Sequence, residues 1–506
     1  MVRTGEQYLA GLRDSRNVVY DGRLIEDVTT EPGFRRTAKT VAQFYDFQND
    51  PNLQDLMTYE TEDGDRAGMA FIEPRSIEDL RRRGDAMAAW AEVTCGLMGR
   101  SPDYMNSVMM AIGAKEEAWG YLDKQIGVNA RQSYLDARRN DSCITHTIVP
   151  MFGDKSVPAE ERDTTLREVD VGSEGPILTG AKGVGTLAVF SDLNVLFGAF
   201  GLPEDGDPAQ AISAVHPVAA DGLFWVCRDT FDDEKSEFDA PLSSRGLDEM
   251  DTVAIYENAE FKKSNFFVYR DVANANALMM HMKFFDTIGQ HILVRYIAKT
   301  RFMLGLAHLL AESSQVNQFF NVQERLGEFA TWLEALEALY TAAIEGAFRD
   351  PDNGLFYPNR KAVMSAIRLF AEWNRQMISH FISIGASGLV SVPQEKTLDM
   401  FSENIGKYFS GAGGQDSKER VSLFRMAWDL AGSSWGGRNE LYERFFTGDS
   451  QRAIANTYLR MDKSEAVDII RRMLLPGENG HPFPLPEKFG GPALPPLVED
   501  TEECLD

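Results

Sequence analysis

Between Ser76-Ile77-Glu78-Asp79-Leu80 and Leu97-Met98, apolar residues recur three and four apart, the spacing that gives a helix one buried face. Such patterns dominate to about residue 150 and predict a mainly helical N-terminal domain over 1–150, interrupted where Asp63-Gly64-Asp65-Arg66 turns a hairpin-like segment. From 151 to 275 the texture changes to short apolar runs between frequent Gly, Pro and Asp. Gly222-Leu223-Phe224-Trp225-Val226-Cys227-Arg228 and Thr252-Val253-Ala254-Ile255-Tyr256 read as strands, so this stretch is predicted to be a small β domain. From 276 the period turns helical again. Phe284 to Ser313 carries long apolar stripes with one internal Gly in its first half, and further helices are predicted at 321–347, 360–388 and 418–432. Together they predict a C-terminal helical bundle over 276–476, and the class is α+β, mostly α. The Pro- and Gly-rich stretch 477–506, with its acidic run Glu499-Asp500-Thr501-Glu502-Glu503, is predicted to be an irregular tail.

Composition narrows the function. A chain of 506 residues with 43% hydrophobic content can build a large core, and a formal charge of -26 excludes the cationic surface that nucleic acid requires. The first residues, Met1-Val2-Arg3-Thr4-Gly5-Glu6-Gln7, contain no apolar signal core, and no window approaches ~18 uninterrupted apolar residues, so a soluble, cytoplasmic protein without a membrane partner is expected. Cys95, Cys143, Cys227 and Cys504 are scattered and form no C-x-x-C pair; neither a disulfide framework nor a metal site is expected.

The candidate chemistry gathers in a few segments. In Gly99-Arg100-Ser101-Pro102-Asp103-Tyr104, Ser101 reads as a helix N-cap and Pro102 as the first helical residue, with Arg100 just ahead and Tyr104 in the first turn. The two donors suit a phenol or oxyanion, although the segment alone reads first as an arginine stacked on a tyrosine beside an ordinary helix cap. His146 lies in the extended run Thr145-His146-Thr147-Ile148-Val149-Pro150. His291 stands four residues before Arg295 and should share its helix face. His216, His281, His308, His380 and His481 have no motif context. Gly183-Val184-Gly185-Thr186-Leu187-Ala188 matches a dinucleotide fingerprint in letters only, because apolar strand-like runs follow it where a helix is required. No G-x-S-x-G elbow occurs, and the carboxylates Asp248, Glu249 and Asp251 read as solvated or turn-capping.

Taken in order, several segments resemble the large oxygenase component of the two-component, flavin-dependent 4-hydroxyphenylacetate 3-hydroxylase family. They are Arg3-Thr4-Gly5-Glu6-Gln7-Tyr8-Leu9, Asp27-Val28-Thr29-Thr30, the Gly99–Tyr104 segment, Gly180-Ala181-Lys182, Pro241-Leu242-Ser243-Ser244-Arg245, Asp248-Glu249-Met250-Asp251, Gln323-Glu324-Arg325-Leu326-Gly327-Glu328 and Gly436-Gly437-Arg438-Asn439-Glu440-Leu441-Tyr442-Glu443-Arg444. The resemblance implies an acyl-CoA-dehydrogenase-like fold of N-terminal helical domain, central β barrel and helical bundle. It implies FAD, used as FADH2 and supplied by a separate NAD(P)H:flavin reductase, reacting with O2 to give a C4a-hydroperoxyflavin that hydroxylates a phenol ortho to its hydroxyl.

It also implies roles. Arg100, Tyr104 and His146 would hold the phenolic oxygen, and His291, with Thr186, would protect the hydroperoxide. His146, Thr147, Ile148, Thr186, His291, Gly448 and Asp449 would bind the cofactor, with a turn from Gly180 to Thr186 against the flavin ring. The enzyme would be a homotetramer. Related 4-hydroxybutyryl-CoA dehydratases hold an iron–sulfur cluster through cysteines on the helix where this chain has Arg100 and Tyr104, so no cluster is expected.

Two departures bear on substrate. Gly198 and Ala199 stand near where 4-hydroxyphenylacetate enzymes place hydroxyl-bearing residues, and Phe261-Lys262-Lys263-Ser264-Asn265 replaces the family's Pro-Trp-Glu. A simple, substituted or carrier-tethered phenol is therefore expected over a free arylacetate. An acyl-CoA dehydrogenase or dehydratase on the same fold, and a non-catalytic flavin-binding oligomer, remain as alternatives.

Overall fold

The computed structural model describes residues 2–474 apart from 152, 153, 155, 159, 160 and 233, so the predicted tail 477–506, with Cys504, lies outside the described residues. Residues up to Glu443 form one compact unit and those from Arg444 a second.

In the first unit the predicted helix spans Ile77–Val93. Ser76 Oγ accepts the Asp79 backbone N–H at 3.1 Å, while Glu78 and Asp79 sit at the positive helix end and Leu80, Met87 and Trp90 turn inward. The early hairpin pairs Thr58–Glu60 with Arg66–Gly68. The helix Pro102–Gly113 starts on its proline as expected and is buried along its whole length.

The β region is two sheets. In the larger, Pro176–Thr186 runs between Asp251–Glu260 on one side and Val149–Pro150 and Arg167–Val171 on the other; the smaller orders Phe266–Tyr269, Ile212–Pro217, Leu193–Phe197 and Ile144–Thr147. The expected turn at Gly180–Thr186 is therefore the second half of a strand, and a 3-10 turn at Ala188–Phe190 follows it where a dinucleotide fold needs a helix.

The sheets also draw on residues assigned to the N-terminal domain. Asn17–Tyr20 pairs in parallel with Leu223–Cys227, and Ile144–Thr147 with Leu193–Phe197. One core holds Tyr8, Phe34 and Tyr45 together with Leu178, Trp225 and Tyr256. Strands of four residues carry too little alternation to be read from the sequence, and the two sheets take strands from both sides of residue 150.

The remaining predicted helices appear as Phe284–Ser313, Phe320–Glu345, Arg360–Gly385 and Ser417–Ala431. The first is a buried axis: Tyr296 stacks on Phe370 at 3.6 Å between ring centroids, yet His291, Arg295 and Lys299, each four residues apart, are buried on it as well. The second unit contains the helices Ser450–Arg460 and Ser464–Leu474. No helix among the described residues is long and apolar enough to cross a membrane.

Candidate active site

A buried ion-pair network fixes the approach to the site. The Arg100 backbone N–H donates to Glu249 Oε1, and Glu249 Oε2 accepts from Arg438 at 2.9 Å. Arg438 grips Asp251 through two bonds of 2.7 and 2.9 Å, and Arg228 joins Asp248 at 2.6 Å and Asp251 at 2.9 Å. Asp248 and Glu249 are 2% and 1% exposed, which corrects the solvated reading of these carboxylates. Arg438, the partner of Glu249 and Asp251, lies 189 and 187 residues along the chain from them, where no local pattern can reveal it.

The Arg100 guanidinium lies 4.1 Å above the Tyr104 ring centroid and donates from Nη1 to Tyr442 Oη at 2.8 Å. A Cβ on Gly99 would come within 2.3 Å of that Tyr442 oxygen, so only glycine lets the backbone approach so closely. Burial opposes the Arg100 charge, but Tyr104, Tyr442 and Glu249 outweigh it and raise its pKa. Tyr104 is held protonated by burial, which Arg100 partly offsets.

His146, on Ile144–Thr147, stands 6.1 Å from the Tyr104 ring and 6.0 Å from Phe197; burial, then the charge of Arg100, pushes its pKa well down and keeps it neutral. His291 meets the edge of Tyr104 at 5.4 Å and is held neutral by burial, then by Arg295 and Arg100. Arg100, Tyr104, His146 and His291 thus converge from two helices, a strand and a loop. Ser101, expected as an N-cap, makes no cap bond; its hydroxyl turns instead toward Asp103 and His291.

The strands beside this cluster suit a flat apolar ring system. Ile148 N–H donates to the Gly183 carbonyl at 3.2 Å, Gly183 faces open space where a Cβ would project, and Val149 and Val184 are 37% and 38% exposed. Thr186 Oγ1 donates to Asp251 at 2.8 Å, which leaves that oxygen free only to accept. These features fit a flavin. Thr147 is 0% exposed, and its hydroxyl accepts from Asn194 at 3.1 Å inside the β core. Gly448 and Asp449 belong to the second unit, where Asp449 caps Ser450–Arg460 by accepting from Gln451 N–H at 2.9 Å.

At Gly198 a Cβ would fall 1.9 Å from the Ile212 carbonyl oxygen, so the backbone itself excludes a hydroxyl-bearing side chain, and Ala199 beside it offers none. Gly198→Ser is expected to cost about 1–3 kcal/mol of stability through overpacking. A thermal transition at the wild-type temperature would contradict that packing.

Sequence reasoning missed several supporting groups. Lys182 Nζ donates to the carbonyls of Gly198 at 2.9 Å and Ile148 at 3.3 Å, and burial brings its pKa down to about 7. Glu443 binds Arg295 through two bonds of 2.6 and 2.8 Å and Lys299 at 2.8 Å, while Asn439 accepts from Lys299 at 2.6 Å. Two cations on an apolar helix stripe were the available signal, because buried charges demand a buried counter-ion.

Comparison with known proteins gives the family and the fold. Residues 4–260 match the family model described as 4-hydroxyphenylacetate 3-hydroxylase N terminal, and residues 275–475 match its C-terminal counterpart. The chain is 35% identical to the 4-hydroxyphenylacetate 3-monooxygenase oxygenase component of Thermus thermophilus, over 94% of this chain and 98% of that protein. It is 32% identical to a (3S)-3-amino-3-(3-chloro-4-hydroxyphenyl)propanoyl-[peptidyl-carrier protein] monooxygenase of Streptomyces globisporus, over 92% and 88%. A crystal structure of a 4-hydroxyphenylacetate 3-monooxygenase oxygenase component complexed with FAD and 4-hydroxyphenylacetate superposes with a TM-score of 0.87 at 34% identity, covering 93% of this chain and 98% of that one. With both family models matched in sequence order and the fold shared along the chain, this protein belongs to the 4-hydroxyphenylacetate 3-hydroxylase family.

Proposed function

We propose that this protein is the oxygenase component of a two-component, FAD-dependent phenol monooxygenase that hydroxylates its substrate ortho to the phenolic hydroxyl. The observation that carries this reading is the convergence of Arg100, Tyr104 and His146 beside an open strand face. When bound, reduced FAD supplies two electrons to dioxygen, so that one oxygen atom enters the ring and the other leaves as water. The reductant comes from a separate NAD(P)H:flavin reductase.

The chain's own residues do the rest. Arg100, charged and buried, stabilises phenolate character on the substrate oxygen, Tyr104 donates to it, and neutral His146 accepts a hydrogen bond from the phenol; the electron density gained at the ortho carbon favours attack on an electrophilic oxygen. The faces of Gly183, Val149 and Val184 and the backbone of 146–148 hold the flavin, Thr186 accepts at its edge, and His291 keeps water from the oxygen chemistry. With no side-chain hydroxyl at Gly198 or Ala199, the substrate is a simple, substituted or carrier-tethered phenol instead of a free arylacetate. The same reading makes the enzyme a cytoplasmic homotetramer, for which exposed Phe320, Leu369, Ile382 and Met400 of the bundle offer apolar contact area.

The purified chain, mixed with FAD, NADH and an unrelated flavin reductase, is expected to convert 4-chlorophenol to a catechol more efficiently than 4-hydroxyphenylacetate. Hydroxylation with NADH and FAD but no reductase would overturn the two-component reading.

A further inference from the structure

Ser101 occupies a helix-cap position but spends its hydroxyl elsewhere. Its Oγ donates to Asp103 Oδ1 at 2.5 Å and lies 3.0 Å from His291 Nε2, which is itself 3.5 Å from Asp103 Oδ1. The three residues are 6%, 2% and 2% exposed, so the contact is shielded from water. Among the described residues, neither His291 Nδ1 nor Asp103 Oδ2 has a hydrogen-bond partner. Asp103 also lines, with Gln48, Trp90 and Asn106, a cavity of about 10 Å³, room for about one water molecule, and the Trp90 indole N–H likewise lacks a partner.

Electrostatics give this chain of atoms a direction. An imidazolium at His291 is opposed by burial and then by the charges of Arg295 and Arg100, so the histidine by itself is a poor proton carrier. Glu443 and Glu249 accompany those two arginines, with Tyr104, Tyr442 and Tyr296 beside them, Lys299 sharing Glu443, and neutral His146 facing Arg100. Burial raises the Asp103 carboxyl to about 7, where it can hold or give up a proton near neutrality.

We propose that Asp103, acting through Ser101, is the proton store of His291, so that His291 passes a proton at Nδ1 without becoming a buried cation. The proposal rests on the hydroxylase reading. In the loaded state Asp103 donates to Ser101 Oγ, Ser101 donates to His291 Nε2, and the imidazole carries its proton on Nδ1. When that proton leaves toward the reaction space, the Ser101 proton moves to Nε2 and the Asp103 proton to Ser101. An Asp103 carboxylate and a neutral imidazole result. Uptake at Nδ1 runs the same shifts in reverse. Phenol, dioxygen and FADH2 give a catechol, water and FAD with no net proton, so the store empties as dioxygen is reduced and refills with the proton that the aromatic ring loses. Asp103 and Ser101 are positioning residues here, because they act only through the histidine.

Two measurements test the store. Infrared difference spectra of the chain without flavin, taken across neutrality, should contain a protonated-carboxyl band titrating near 7 that Asp103→Asn abolishes. In turnover with reductase, Asp103→Asn and Ser101→Ala should each lower kcat for hydroxylation about 100-fold, the low end for a lost general acid or base, with KM for the phenol unchanged. Both should also flatten the pH profile of product formed per oxygen consumed. Ser101→Ala carries the turnover test if Asp103→Asn does not fold, because the serine hydroxyl makes no cap bond that the helix would lose. Wild-type kcat and pH profile in these variants, or no carboxyl titrating near neutrality, overturns the relay. A wild-type protein that shows the carboxyl titration but makes no catechol upholds the store and sinks the hydroxylase reading instead.

Discussion

Arg100→Ala is expected to lower hydroxylation about ten- to a hundredfold while reduced flavin still consumes oxygen, which then appears as hydrogen peroxide. The guanidinium stacks its positive charge on Tyr104, and losing an oriented, charge-assisted contact costs about 1.5–3 kcal/mol. The substitution also removes the Arg100 bond to Tyr442, but Glu249 keeps its bonds to Arg438 and to the backbone N–H of residue 100. The segment therefore holds its place, and the loss reports on chemistry. Lysine restores charge but not the planar stacking, so Arg100→Lys should recover only part of the rate. Peroxide and catechol measured in the same reaction decide it: unchanged yield of catechol in Arg100→Ala would remove Arg100 from the phenol site.

The second large effect is on stability. Glu443→Ala strips Arg295 and Lys299 of their shared carboxylate at a place where all three side chains are at most 1% exposed, and breaking such a pair costs about 3–5 kcal/mol. Burial alone would raise the Glu443 pKa, but Arg295 and Lys299 outweigh it and hold the carboxyl well below its ordinary 4.5, at about 2. Its contribution is therefore full above pH 4.5 and drains away as acid takes the pH down toward 2. Urea unfolding at neutral pH should show the loss, and Glu443→Gln, which keeps hydrogen-bonding atoms without the charge, should fall in between. A Glu443→Ala protein as stable as wild type would show that the buried cations are satisfied without it.

The parts of the molecule that were legible in sequence are those whose signal repeats. Phe284–Ser313 and Arg360–Gly385 carry enough turns of apolar stripe to fix their type and nearly their ends, and Leu223–Cys227 reads as a strand because its β-branched and aromatic residues are contiguous. The site was legible as residue types in familiar order: Arg100, Tyr104, His146 and His291 do converge. What stayed hidden depends on distant partners. Ser101 obeys the local rule for a cap until His291, 190 residues away, offers a competing bond. Arg295 finds Glu443 across 148 residues, and Thr147 turns its hydroxyl to Asn194 once the strands pair. Gly198 lacks a hydroxyl in sequence; that none could fit follows only from where the Ile212 carbonyl sits.

The most direct test of the central claim is a single turnover under 18O2. The protein would be mixed with chemically reduced FAD and a phenol, with no reductase and no nicotinamide, and the product analysed by mass spectrometry. The account predicts a catechol carrying one atom of 18O in its new hydroxyl. A catechol whose new oxygen comes from water, or oxidised flavin and peroxide with no catechol from any phenol offered, would contradict it.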